Sequence, residues 1–147
     1  GTPQIRETEG LQTVNLSLLT AQGEMHTSSG LNWGQRDRRE PNQAYIPVRR
    51  IVHNEHPGFF PTSGQRFTVK TDDGHTMVCV IAQQGDKAIH TPDNNSELGL
   101  YLRRRIGVPD GEFVNREDLE RYGRADVSFS KIDDEMFLMN FQSDDGA

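Results

Sequence analysis

Apolar and polar residues alternate with a period of two at several separated places in the chain. Val14-Asn15-Leu16-Ser17-Leu18 alternates and predicts a half-buried strand. Tyr45 to Val52 has the apolar character of another strand, with Pro47 marking an edge or a bulge. Arg66-Phe67-Thr68-Val69-Lys70-Thr71, then Asp72-Asp73-Gly74, then Thr76 to Ala82, reads as strand, turn and strand of a hairpin. Gly85-Asp86 predicts the next turn and Lys87 to His90 a short strand. Asp126 to Ile132 and Met136 to Phe141 alternate around Asp133-Asp134 and form a closing hairpin. The period changes in only two places. Leu98, Tyr101, Leu102 and Ile106 fall at helical spacing, with Asn95 or Ser96 as N-cap and Gly107 as terminator. Asn115 caps a second short helix, Arg116 to Tyr122, ended by Gly123. About seven strands and two short helices follow, a mainly β domain of barrel type. Residues 28–43 fit neither period and read as a long loop or ribbon. Residues 1–12 are polar and read as a linker or an artificial start, 13–142 as the folded domain, and 143–147 as an acidic tail.

The length, 147 residues, suits one such domain. Only 33% of residues are hydrophobic and 26% are charged, a polar composition that still folds because the apolar residues are clustered. The one cysteine, Cys79, lies in the run Met77-Val78-Cys79-Val80-Ile81 and reads as a small buried hydrophobe in a reducing cytoplasm. No apolar stretch approaches the roughly 20 residues that cross a bilayer. No signal peptide opens the chain, and Gly1-Thr2 reads as the start of a processed or excised piece.

The net charge of -6 argues against nucleic acid until its distribution is considered. Residues 31–50 hold Arg36, Arg38, Arg39, Arg49 and Arg50 against Asp37 and Glu40. Residues 98–106 add Arg103, Arg104 and Arg105 with no acid, while the chain from Lys131 onward is strongly acidic. All eight cations of the two basic blocks are arginine, whose planar fork suits phosphate or guanine.

The first block, Ser29 to Tyr45, combines the only tryptophan, Trp33, with Arg36, Arg38 and Arg39 and with the amides Asn32, Gln35, Asn42 and Gln43. These are the side chains that read base edges and grip phosphates. The bland reading is a solvated loop with a core tryptophan. As a ribbon, the segment would put Arg36 and Arg38 on one face and Arg39 on the other. A second block, Thr91 to Glu97, offers Asp93, Asn94, Asn95 and Ser96 at a helix N-terminus, before Arg103 and Arg104. Successive helical residues point about 100° apart, so Arg103, Arg104 and Arg105 cannot all face DNA. No constellation for catalysis, metal or cofactor binding emerges. His53 and His56 are three apart beside Pro57-Gly58, where the zinc-protease pattern needs four on a helix. No histidine stands two before a lysine, as phospholipase D-type nucleases require. The rivals to a DNA reader are a small metal-dependent hydrolase using His53 and His56, and a β-barrel adaptor for protein.

Gly30-Leu31-Asn32-Trp33-Gly34-Gln35-Arg36 and Pro41-Asn42-Gln43-Ala44-Tyr45-Ile46-Pro47 resemble the C-terminal domain of NgoFVII-type restriction endonucleases. His90 to Gly99, Tyr101-Leu102-Arg103, Arg121 to Arg124 and Ile132 to Glu135 extend the likeness across residues 14–141. The resemblance implies a seven-stranded open pseudobarrel like that of plant B-three transcription factors. Such a fold grips the major groove with two arms, placed on this chain at residues 32–43 and 91–97. It further implies a short G·C-rich duplex as partner and a cytoplasmic bacterial parent whose separate phospholipase D-like domain cuts and dimerises. This chain alone is then expected to be non-catalytic and free to be monomeric.

Overall fold

A computed structural model describes residues 10–143. Residues 1–9 of the expected linker and 144–147 of the acidic tail lie outside the described residues. Among the described residues seven strands form one sheet: β1 (Thr13–Ser17), β2 (Ile46–Pro47), β3 (Phe67–Thr71), β4 (Thr76–Ala82), β5 (Ala88–His90), β6 (Asp126–Asp133) and β7 (Met136–Asn140). Their order is β1-β6-β7-β3-β4-β5-β2. Every pairing is antiparallel except that of β3 with β7. The two ends of the order, β1 and β2, also approach each other, so the sheet curls nearly shut into a pseudobarrel.

Period-two alternation puts one side of each long strand inside. Val14 and Leu16, Phe67 and Val69, Met77 and Cys79, Val127 and Phe129, and Phe137 and Met139 are all buried. Phe59 and Phe60 enter from the loop before β3, and their rings lie 5.6 and 5.7 Å from that of Phe137. The hairpin β3–β4 turns at Asp72-Asp73-Gly74, where Gly74 takes φ +87°.

Among the described residues there are three α-helices where two were expected: α1 (Arg50–Glu55), α2 (Asn95–Ile106) and α3 (Arg116–Tyr122). The strand expected over Tyr45–Val52 is correct only at Ile46–Pro47, which pairs with β5. Past Val48 the chain leaves the sheet. It winds instead into α1, which buries no residue and leaves Ile51 56% exposed. The helix α2 packs Leu98, Leu102 and Ile106 into the core. Its N-cap is Asn94 rather than Asn95 or Ser96, because the Asn94 side chain is the one that accepts from the Ser96 N–H, at 3.0 Å. Asn115 caps α3 as expected, in a capping box with Asp118. Among the described residues no helix is long and apolar enough to cross a membrane.

Candidate nucleic-acid interface

Residues 28–43 are not a ribbon. Gly30–Gln35 forms a 3-10 helix, followed by two tight turns closed by Arg39 N–H to Arg36 C=O (3.3 Å) and Gln43 N–H to Glu40 C=O (3.0 Å). In the first turn Arg38 takes φ +69°, a left-handed conformation that non-glycine residues seldom adopt. The turn brings Arg36 and Arg39 close together and leaves Arg38 near its tip. Gly34 allows the fold-back. A Cβ there would stand 2.3 Å from the Glu40 carbonyl and 2.7 Å from the Gln43 nitrogen.

The amides hold this arm together. Asn32 is fully buried; its Nδ2 donates to His26 and Val114 carbonyls (2.7 and 2.9 Å), and its Oδ1 accepts from Val114 N–H (2.9 Å). Gln35 Nε2 donates to the Pro41 carbonyl at 3.0 Å and to that of Gly111 at 3.3 Å. Asn42 accepts from Gly111 N–H at 2.5 Å and donates to the Glu40 carboxylate at 2.9 Å. Gln43 accepts from Arg39 Nη1 at 2.8 Å. Trp33 is 9% exposed, edge-on to Tyr45 at 5.4 Å and nearly parallel to His90 at 6.1 Å. Asn32 is therefore corrected from a DNA-contacting candidate to a buried brace.

The second block lies directly behind the first. The Ser96 hydroxyl donates to the Glu40 carboxylate, and Ala44 N–H donates to the Asn95 carbonyl at 3.3 Å. Gly99 lets α2 meet the arm, since a Cβ there would stand 1.7 Å from the Asn42 carbonyl oxygen. Burial pushes the Glu40 carboxyl up, but bonds from Ser96 and Asn42 and the Arg103 charge outweigh it and hold it below the usual range. Asn94 serves as cap, and the Asn95 Oδ1 is buried without a partner. Asp93 stays exposed in a 2.7 Å pair with Arg66.

The arginines of α2 separate as helical geometry requires. Arg103 is fully buried and donates to the carbonyls of Glu112 (2.9 Å), Leu31 (3.1 Å) and Gly99 (3.5 Å). It cannot touch DNA, a correction to its candidacy. Arg104 is exposed and paired with Asp110 at 2.9 Å. Arg105 is paired with Asp72 and bonded to the hydroxyls of Tyr101 (2.7 Å) and Tyr122 (2.9 Å).

The five arginines between positions 36 and 50 differ: all are exposed, and none forms an ion pair among the described residues. A chain of contacts joins them. Arg36 Nε donates to the Ser28 carbonyl at 2.7 Å. His26, bonded to Ser29 at 2.9 Å, lies within reach of the Arg49 charge. Val48 N–H donates to the Lys87 carbonyl at 2.8 Å, placing the β4–β5 loop beside Arg49 and Arg50. That loop, Gln83 to Lys87, contains the other two non-glycine residues with positive φ among the described residues, Gln83 (+69°) and Asp86 (+56°). Sequence reasoning read it only as a turn. Two adjacent glutamines before Gly85-Asp86-Lys87 were the available signal, but adjacency to Arg49 needs the β2–β5 pairing.

His26 and His90, beneath the arm, are both held below the ordinary value of 6.5, chiefly by burial. The Cys79 thiol is pushed by burial up to about 12, as suits a core residue. His53 Nε2 bonds to the Asp86 carbonyl at 2.8 Å, and no group of three possible ligands occurs among the described residues.

No curated protein matches the sequence. The family model of the NgoFVII C-terminal B3-like DNA-binding domain matches residues 6–133. The nearly closed pseudobarrel is thus a DNA-binding domain, and the chain belongs to the NgoFVII C-terminal B3-like family.

Proposed function

We propose that this domain reads a short G·C-rich duplex through the major groove, as the target-recognition part of a type II restriction endonuclease. One arm is the Arg36–Arg39 turn. The other, which the resemblance put at residues 91–97, is on this reading the β4–β5 loop, Gln83 to Lys87, beside Arg49 and Arg50. The carrying observation is that five exposed arginines, linked through Ser28, Ser29 and His26, have no carboxylate spent on them among the described residues. Arginine so displayed either grips phosphate or forms two parallel bonds to guanine. Residues 91–97 support the first arm from behind; of them, Asp93 is exposed and able to accept from cytosine N4 once its pair with Arg66 opens. Cutting belongs to a phospholipase D-like domain of the parent protein.

Selection of bound duplexes from a random pool tests this reading directly. The expected result is one enriched site, bound with an affinity that falls steeply with salt, by about 0.9 logarithmic units per logarithmic unit of salt for each phosphate neutralised. The chain should leave that duplex uncut with or without divalent metal. Enrichment of no site overturns the recognition reading, and incision by this chain alone overturns the division of labour.

A further inference from the structure

Among the three arginines of the first arm, Arg39 is fixed on two sides. Its guanidinium carbon lies 4.0 Å from the centroid of the Trp33 ring, and its Nη1 donates to Gln43 Oε1 at 2.8 Å. Both supports are themselves rigid. Trp33 is wedged against Tyr45 and His90. The Gln43 backbone is clamped by Gly34 N–H (2.8 Å) and the Glu40 carbonyl (3.0 Å). The stack sets the plane of the guanidinium, and the amide sets its rotation within that plane. Its Nε and Nη2 donors make no bond among the described residues and form a free two-donor edge on an exposed side chain.

The neighbours are held differently. Arg36 has one anchor, the bond from Nε to the Ser28 carbonyl. The Arg38 side chain makes no hydrogen bond or ion pair among the described residues. A phosphate contact tolerates a swinging side chain, because the charge matters more than the angle. A base contact needs two N–H groups aimed together, and fixing them beforehand lowers the ordering cost on binding.

We propose that Arg39 is the guanine reader of this domain, donating two parallel hydrogen bonds to guanine O6 and N7, with Trp33 and Gln43 as its positioning residues. Arg38 grips phosphate. The inference rests on the DNA-reading function proposed above and adds which residue carries specificity.

The test uses the 147-residue chain, the duplex it selects, and copies of that duplex with 7-deazaguanine at one guanine at a time, which replaces N7 by C–H. Two variants serve. Arg39→Lys keeps the charge and loses the fork; Gln43→Leu keeps Arg39 and removes one support. Both positions are on the surface of the arm, and unchanged thermal midpoints establish that the variants fold. Arg39→Lys should lose affinity for the selected duplex by about tenfold or more, with binding to random duplex nearly unchanged. At one guanine, the deaza substitution should weaken the wild type and leave Arg39→Lys no weaker than before. Gln43→Leu should show a smaller loss focused on the same guanine. The inference is overturned if Arg39→Lys keeps the wild-type preference at every position, or weakens selected and random duplexes equally. A wild type that selects no site overturns the parent reading and this inference together; a selective wild type with an indifferent Arg39→Lys overturns this inference alone.

Discussion

The first arm and helix α2 carry arginine triplets of nearly equal density, yet the two sets do different things. Arg103, Arg104 and Arg105 are all committed inside the domain, to three carbonyls, to Asp110 and to Asp72. Arg36, Arg38 and Arg39 have no carboxylate partner among the described residues. Asp110 and Asp72 are 6 and 33 positions from their arginines, and the Leu31 carbonyl is 72 positions from Arg103. Local charge density therefore measures how many cations a segment has, and only the folded partners decide how many remain for DNA.

The strongest way to break this contrast is Arg103→Ala. Burial works against the Arg103 charge and outweighs the support of the Glu40 and Asp110 carboxylates, and the guanidinium satisfies carbonyls from three segments. Its removal strands those carbonyls and leaves a cavity, at a cost of about 3–5 kcal/mol in urea unfolding. Affinity of the folded fraction for DNA should stay at the wild-type level. Unchanged stability with lost DNA binding would reverse the roles assigned to the two triplets.

Arg38→Gly sharpens the contrast from the other side. Glycine accepts the left-handed backbone that Arg38 adopts at φ +69°, so stability should rise by about 0.5–1 kcal/mol. DNA binding should weaken for selected and random duplexes alike, with the salt slope shallower by about one unit. Opposite signs for stability and affinity identify strain kept for function. A loss of both would show instead that Arg38 supports the turn.

What could be read in advance follows from the range of the interactions involved. The β3–β4 hairpin was legible because alternation and the Asp-Gly turn are local, and α3 because Asn115 and Asp118 cap it within one turn. The strand expected past Val48 failed because Ile51 and Val52 have β-branched side chains on an exposed helix, where composition imitates a strand. The parallel pairing of β3 with β7 left no local trace. In the arm, the abundance of Asn and Gln also has a structural cause. Asn32, Gln35 and Asn42 reach Val114 and Gly111, far along the chain, and so serve as internal braces. A ribbon would have paired Arg36 with Arg38 on one face, but the turn sets Arg39 rather than Arg38 beside Arg36.

A smaller effect separates the base of the arm from its tip. His26 and His90 lie under it, each with a ring nitrogen that is buried and unpartnered, and burial holds both below the ordinary histidine value of 6.5. The unfolded chain therefore takes up protons first as pH falls. Their contribution to stability is whole above pH 6.5 and is lost as pH drops through 6.5 toward the lower folded values. Urea midpoints should decline from pH 7.5 to 5.5, and the His26→Asn, His90→Asn double variant should decline less. Equal declines would show that neither ring titrates against the fold.

The smallest expected effect belongs to Arg104, and it tests the contrast where the two triplets look most alike. Arg104 is exposed like the arginines of the arm and lies on a helix whose N-terminus touches that arm. By charge and exposure alone it would be counted as a DNA contact. Its side chain, however, makes two bonds to Asp110, from Nε at 3.1 Å and from Nη2 at 2.9 Å. That carboxylate holds the Arg104 charge in a local pair, raising its own partner's basicity, and a neutral pair attracts phosphate weakly. Exposed pairs of this kind contribute little to stability, because water screens them and both side chains lose freedom. Arg104→Ala should therefore leave the unfolding midpoint unchanged and reduce DNA affinity no more than modestly. Asp110→Asn supplies the discriminating measurement, since it frees the cation without removing it. If Arg104 is idle because it is paired, Asp110→Asn raises affinity for random duplex and steepens the salt slope. If Arg104 is idle because it points away from DNA, Asp110→Asn changes neither. A loss of affinity on Arg104→Ala as large as that of an arginine in the arm would remove the contrast, and the distinction between committed and free arginines would no longer predict where this domain meets its duplex.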